Sequence, residues 1–147
     1  MAVNFTQVIQ DNVLVPLESL IKAEFTKLPI FFDTNFKVRN NFFLRIIPIG
    51  DSLDKLTTED QLRQYQILLR FYRRTPGRFT RDNNFTNLMN AVDRMKRLIG
   101  NNSNYKPSDV YKWNDAAITR VNYQPEKEDT EKEYQVVDMI FECNVLV

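Results

Sequence analysis

In the stretch QYQILLRFYRR, residues 64–74, apolar side chains fall on every second position, and this alternation constrains the fold more than any other feature of the chain. Tyr65, Ile67, Leu69 and Phe71 share one face of an extended backbone, with Gln66, Leu68, Arg70 and Tyr72 on the other, the pattern of a half-buried strand. The same period recurs in YQVVDMIFECNVLV, residues 134–147, where Val137, Met139, Phe141, Cys143 and Val145 alternate with Asp138, Ile140, Glu142 and Asn144. A helix cannot keep either set together, because its side chains return to one face only every ~3.6 residues. The two stretches therefore predict a sheet with one face against a core.

Helical periodicity occurs twice. In NFTQVIQDNVLVPLESLIKAEF, residues 4–25, Phe5, Val8, Ile9, Val13, Leu17, Leu20, Ile21 and Phe25 lie on one stripe. Pro16 interrupts it; an interior proline costs about 3 kcal/mol, which predicts a kink or a split with Pro16 at the first position of the second half. In NFTNLMNAVDRMKRLIGNN, residues 84–102, Phe85, Leu88, Met89, Val92, Met95, Leu98 and Ile99 share a face, with Asn84 offering an N-cap and Gly100 a left-handed C-terminal position. The apolar IFFD precedes FKVRNNFFLRIIPIG, residues 36–50, a strand that Pro48 and Gly50 are expected to end. The polar GDSLDKLTTEDQLRQ that follows reads as a long connection, with Thr58 and Gln61 as a capping box for a single helical turn. NDAAITRVNYQ, residues 114–124, is a further strand, joined to the last by the charged tip PEKEDTEKE. The order predicts one α+β domain over residues 1–147: a mainly antiparallel sheet of four to five strands with an N-terminal helix and a central helix packed on one face.

Composition narrows the chemistry. The chain has no histidine, which removes histidine acid/base catalysis, Ser/His and Cys/His nucleophile pairs and histidine metal sites. Its three glycines, Gly50, Gly77 and Gly100, stand too far apart for a phosphate-cradling loop. One cysteine, Cys143, excludes an internal disulfide. The opening MAVNFTQVIQDNV lacks the pattern of a signal peptide and no apolar run reaches the length of a membrane span, so a soluble chain made in the cytoplasm is expected. Glu126-Lys127-Glu128 and Glu131-Lys132-Glu133 imitate the acidic-x-lysine signature of metal-dependent nucleases, but they sit in a tip without apolar residues, where ligands would not be held rigidly. Neither catalysis, a cofactor nor a metal is expected.

Charge is unevenly placed. Residues 63–97 carry nine basic side chains against Asp82 and Asp93, whereas residues 114–147 carry eight acids against Arg120, Lys127 and Lys132. Two uses suggest themselves: pairing with copies of the same chain, or a nucleic-acid platform on which Tyr72 and Phe79 stack bases while arginines hold phosphate. Trp113, in VYKWND, reads as a core or interface anchor.

The element order, the chain length and the ending W…AITRVNYQP…YQVVDMIFECNV resemble the tail terminator or tail-completion proteins of tailed bacteriophages. The resemblance covers nearly the whole chain but supplies no residue-level motif. It implies a structural virion protein: a ring, usually of six subunits, at the head-tail junction, which closes the tail tube, joins it to the head connector or adaptor protein and lets DNA pass through its bore. Head-tail adaptors, stoppers and tail-tube proteins are near competitors, and a nucleic-acid-binding module is the more distant one. Within a head-to-tail ring the expected contact sets Arg70, Arg73, Arg74, Arg78 and Arg81 of one subunit against Glu126, Glu128, Asp129, Glu131 and Glu133 of the next.

Overall fold

A computed structural model describes residues 7–32, 42–58, 60–74, 81–124 and 134–147, without the side chains of residues 74, 81–85, 124 and 134. A π-helical stretch, Ile9–Leu14, runs directly into α1, Val15–Glu24. The short strand β1, Ile30–Phe32, leads to β2, Phe42–Leu56, and β3, Gln61–Arg74. Helix α2, Arg81–Asn101, separates these from β4, Asn114–Gln124, and β5, Tyr134–Leu146. The five strands form one sheet in the order β1-β2-β3-β5-β4, antiparallel throughout except where β1 runs parallel to β2. This is the α+β architecture expected from the alternation.

Both helices cover the same face. Val13, Leu17 and Ile21 from the first helix and Leu88, Val92, Met95 and Ile99 from α2 are buried against Tyr65, Ile67, Leu69 and Phe71 of β3 and Val137, Met139, Phe141, Cys143 and Val145 of β5. Burying each such Leu, Ile or Phe contributes about 1.5–3 kcal/mol, so this face supplies most of the stability. Trp113 is fully buried there, its ring edge-on to Phe141 at 5.4 Å and its indole N–H donating to the Asn102 carbonyl at 2.8 Å. It is a core anchor. No helix among the described residues is long and apolar enough to cross a membrane.

The first helix divides at its proline much as expected: the π-helical stretch ends at Leu14, and Pro16 stands within the first two positions of α1. Pro16 has no N–H and its ring crowds the carbonyl four residues back. The chain stays helical by widening the preceding turn, with the Val15 N–H reaching the Gln10 carbonyl.

Three local expectations are corrected. First, β2 does not end at Pro48 and Gly50 but continues to Leu56, with a register shift between Pro48 and Gly50. Past Ile46 no described strand lies outside β2, and on such an edge a missing N–H is tolerated, so the Pro and Gly mark a bulge. Second, no helical turn forms at Thr58. The Thr57 and Asp60 backbones pair at 2.9 Å and the Asp60 N–H also donates to Thr57 Oγ1, closing a tight hairpin between β2 and β3. Third, α2 starts at Arg81, ahead of Asn84, and Gly100 is helical with no positive φ. The helix is closed instead by Asn102, whose N–H donates to the Ile99 carbonyl and whose Nδ2 donates to the Leu98 carbonyl at 2.9 Å.

The helical Gly100 has a direct consequence. A Cβ added there meets no atom within 4 Å, so Gly100→Ala should stabilise the protein by about 0.5–1 kcal/mol through the lost freedom of the unfolded chain. Urea unfolding measures this; a loss of stability would mean that Gly100 adopts the left-handed conformation after all.

Candidate functional site

The arginines of β3 divide between the two faces of the sheet. On the helix-covered face, Arg63 extends Nη1 to Asp51 Oδ1 at 2.7 Å and donates Nε to Gln61 at 3.1 Å. Arg73 holds its guanidinium 5.3 Å from the centre of the Phe42 ring, which itself stacks on Phe71 at 5.4 Å. Arg94 of α2 repeats the device, lying 4.4 Å over Phe25 while donating to Glu24. These cations close the margin of the aromatic core, where a guanidinium over a ring contributes about 0.5–1 kcal/mol at an exposed site.

On the opposite face, Arg70 makes a fork with Asp138 of β5: Nε to Oδ1 at 2.6 Å and Nη2 to Oδ2 at 3.2 Å, both side chains less than one fifth exposed. The two residues are direct cross-strand partners, and Arg45 stands opposite Arg70 on β2. The Asp138 hydrogen bonds raise the Arg70 pKa above its ordinary value, outweighing burial, which acts in the other direction. Arg70 thus finds its carboxylate within its own chain.

The remaining expected contact residues are less fully described. Arg74 ends β3 and Arg81 begins α2, their backbones alone being described, while Arg78, Glu126, Glu128, Asp129, Glu131 and Glu133 lie outside the described residues. The registers nevertheless place one fact. Arg74 stands opposite Tyr134 and Gln124 opposite Val136, so the acidic connection leaves β4 and enters β5 at the end of the sheet where Arg73 and Arg74 lie. The strand ends from which the basic and acidic segments continue thus lie at one end of the sheet.

The base-stacking platform loses its first member. Tyr72 is only 1% exposed and lies flat on Phe43, ring centres 4.6 Å apart, with Phe31 edge-on to Phe43. Phe79 lies outside the described residues. Tyr65 and Phe71 are buried on the core face, as the alternation predicts. Cys143 is buried beside them, and burial pushes its thiol pKa up to about 12. Among the described residues no group of three or more His, Cys, Asp or Glu is placed to hold a metal.

Two exposed surfaces have no counterpart in the sequence reading. Residues 48–56 of β2 are all exposed, including Ile49, Leu53 and Leu56, and beyond Ile46 no described strand pairs with the outer side of β2. Among the described residues this half of β2 is an arm, held through β3 alone. On the far side of the sheet, Asp109, Val110, Tyr111, Lys112, Asn114 and Leu146 line a concavity of about 380 Å³. It opens where β4 stops: Asn114 pairs with Asn144, and the residues of β5 past that point have β3 on one side and no described strand on the other. The signal for the arm was present in Leu53 and Leu56, which a polar connection does not need.

Comparison with protein-family models and with the curated proteins finds no match to the chain.

The Arg70–Asp138 fork is testable as an intrachain element. Asp138→Ala leaves Arg70 without its carboxylate, with Tyr72 as a remaining hydrogen-bond partner, and should cost about 1.5–3 kcal/mol. Arg70→Met combined with Asp138→Leu should recover much of that loss. Were Arg70 serving a neighbouring chain instead, Asp138→Ala would leave the denaturation midpoint of the monomer unchanged.

Proposed function

We propose that the chain is a subunit of the ring that ends the tail tube of a tailed bacteriophage and joins it to the head connector, with DNA passing through the bore. The observation that carries this reading is the order and layering of the elements. An N-terminal helix, a long hairpin, a central helix and two final strands is the element order on which the resemblance rests, and both helices lie on one face of the sheet. The exposed arm supports it, because a ring subunit must offer two different surfaces for a head-to-tail contact. A head-tail adaptor, stopper or tail-tube protein would use the same features. The base-stacking alternative is weakened by the burial of Tyr72. The reading assigns the chain no catalytic activity, cofactor or metal.

The location test is direct. Imaging of the assembled particle should place the chain at the head-tail junction, as a closed ring; a position elsewhere, or no place in any virion, refutes the assignment.

The charged end has a defined part in this reading. With Arg70 already paired to Asp138, the residues proposed to meet a neighbour are Arg73, Arg74, Arg78 and Arg81, facing Glu126, Glu128, Asp129, Glu131 and Glu133 of the next subunit. A bore dense in arginine would grip DNA at each phosphate it neutralises, which hinders sliding, whereas arginine against carboxylate at a subunit boundary sets register. Exposed pairs of this kind each contribute about 0–1 kcal/mol. Arg73→Glu with Arg74→Glu should block tail joining, and so should Glu131→Lys with Glu133→Lys. An equal mixture of the two variant chains should restore it in part, because an alternating ring of even number matches every boundary. If only combining all four changes in one chain restores joining, the charges pair within the subunit. If assembly survives and DNA retention fails, the arginines belong to the bore.

A further inference from the structure

The arm and the concavity stand at the same height on opposite edges of the sheet. Ser52, Gln64, Asn144 and Asn114 form one row across β2, β3, β5 and β4. Below that row, Leu53 is level with Arg63 and Val145, and Leu56 with Gln61, which exchanges two backbone hydrogen bonds with Val147. On one edge, then, the sheet ends in a strand without a described outer neighbour. On the other, it ends in a step beside β5 that β4 does not fill.

We infer that the arm of one copy seats in this step of a second copy, with Leu53 and Leu56 entering the concavity formed by Val110, Tyr111 and Leu146. The inference deepens the ring reading and rests on it for closure, since a contact between two different surfaces closes only if its rotation does.

Three observations select a second copy as the occupant. Both surfaces expose large apolar side chains where a surface normally scatters them singly: Leu56 is 66% exposed, Val110 68% and Leu146 62%. Beyond the Asp51–Arg63 pair, their charges are of opposite sign, with Asp54 and Asp60 against Lys55 on the arm, and Lys106 and Lys112 against Asp109 on the loop. Lys106 also lies 5.0 Å from the centre of the Tyr111 ring, holding that ring at the rim of the concavity. Finally, the geometry is that of strand addition. No described strand takes the backbone groups on the outer side of the arm, and none takes those at the end of β5 on the side that β4 leaves open. The open stretch of β5 is short, so backbone bonds set the direction of the arm while apolar burial supplies the affinity.

Disulfide trapping tests the contact. Cys143 does not interfere, being 1% exposed with its thiol pKa pushed up to about 12. Leu56→Cys alone and Tyr111→Cys alone should remain monomeric on a non-reducing gel after mild oxidation at millimolar concentration. Mixed together they should give a dimer and nothing larger. The chain carrying both changes should give a ladder, and adding Leu53→Asp should abolish it without shifting the thermal unfolding of the chain, because Leu53 is half exposed. Dimers of Leu56→Cys alone, as abundant as in the mixture, would mean a two-fold arm-to-arm contact and overturn the inference. A ladder that survives Leu53→Asp would mean random collision and overturn it equally. A ring seen in the particle without the Leu56–Tyr111 cross-link rejects this contact and leaves the ring reading standing. Failure to cross-link at millimolar concentration rejects the contact as well, while imaging of the particle decides the ring separately.

Discussion

The antiparallel register between β3 and β5 is the constraint on which the rest of the structure depends. Thirteen successive pairs, Leu62 with Leu146 through Arg74 with Tyr134, run without a shift. A slip of one residue would turn Ile67, Leu69, Met139 and Phe141 to the outside and bring Arg70, Asp138 and Glu142 into the core. The back of the sheet carries a polar lock on the same register. Arg70 forks onto Asp138, and Glu142 accepts from Gln66 at 2.8 Å and from Gln64 at 3.2 Å. Each of these pairs is satisfied in one alignment only. These contacts join residues 68 to 78 positions apart, so the centre of the sheet is closed by non-local contacts, which form slowly and depend on one another.

What was legible in the sequence follows from this. The core faces of β3 and β5 were readable because each buries one side and leaves the other half exposed, which writes period two into the residues. Helix α2 was readable for the same reason at the helical period. The outer half of β2 was not, because neither of its faces is buried: GDSLDKL has no apolar side to alternate with, and Pro48 with Gly50 signals an end as readily as a bulge. Gly100 misled because local sequence offers a glycine, while the tertiary structure uses the Asn102 side chain to satisfy the last carbonyls. Of the site, the residue types were legible and the partners were not. Asp138 lies 68 positions from Arg70, and only the strand register sets them side by side.

That register also reorganises the charge argument. The basic and acidic segments, separate along the chain, both border the end of the sheet where β3 stops and β5 begins. The opposite end, with the arm and the concavity, exposes leucine, valine and tyrosine. The strands therefore run from the end at which the charged segments attach to an end with exposed apolar surface. On the proposed reading both ends serve the contact with the next subunit, the charged end setting register and the apolar end supplying burial.

The arm also bears on when assembly happens. An exposed outer strand with two leucines invites uncontrolled pairing, and natural sheets blunt such edges with charges and irregularities. Asp51, Asp54 and Lys55 and the register shift between Leu53 and Lys55 do this here. The same features that prevent aggregation also keep any single arm-to-concavity contact weak. In a closed ring each subunit uses both surfaces, and the last to enter makes two contacts at once, so its second contact forms at the high effective concentration of an intramolecular step. Open dimers gain nothing comparable. Weak pairing combined with cyclic closure thus favours monomers or complete rings over partial arcs, and a surface that gathers subunits side by side, as the end of a tail tube would on the proposed reading, shifts that balance towards the ring.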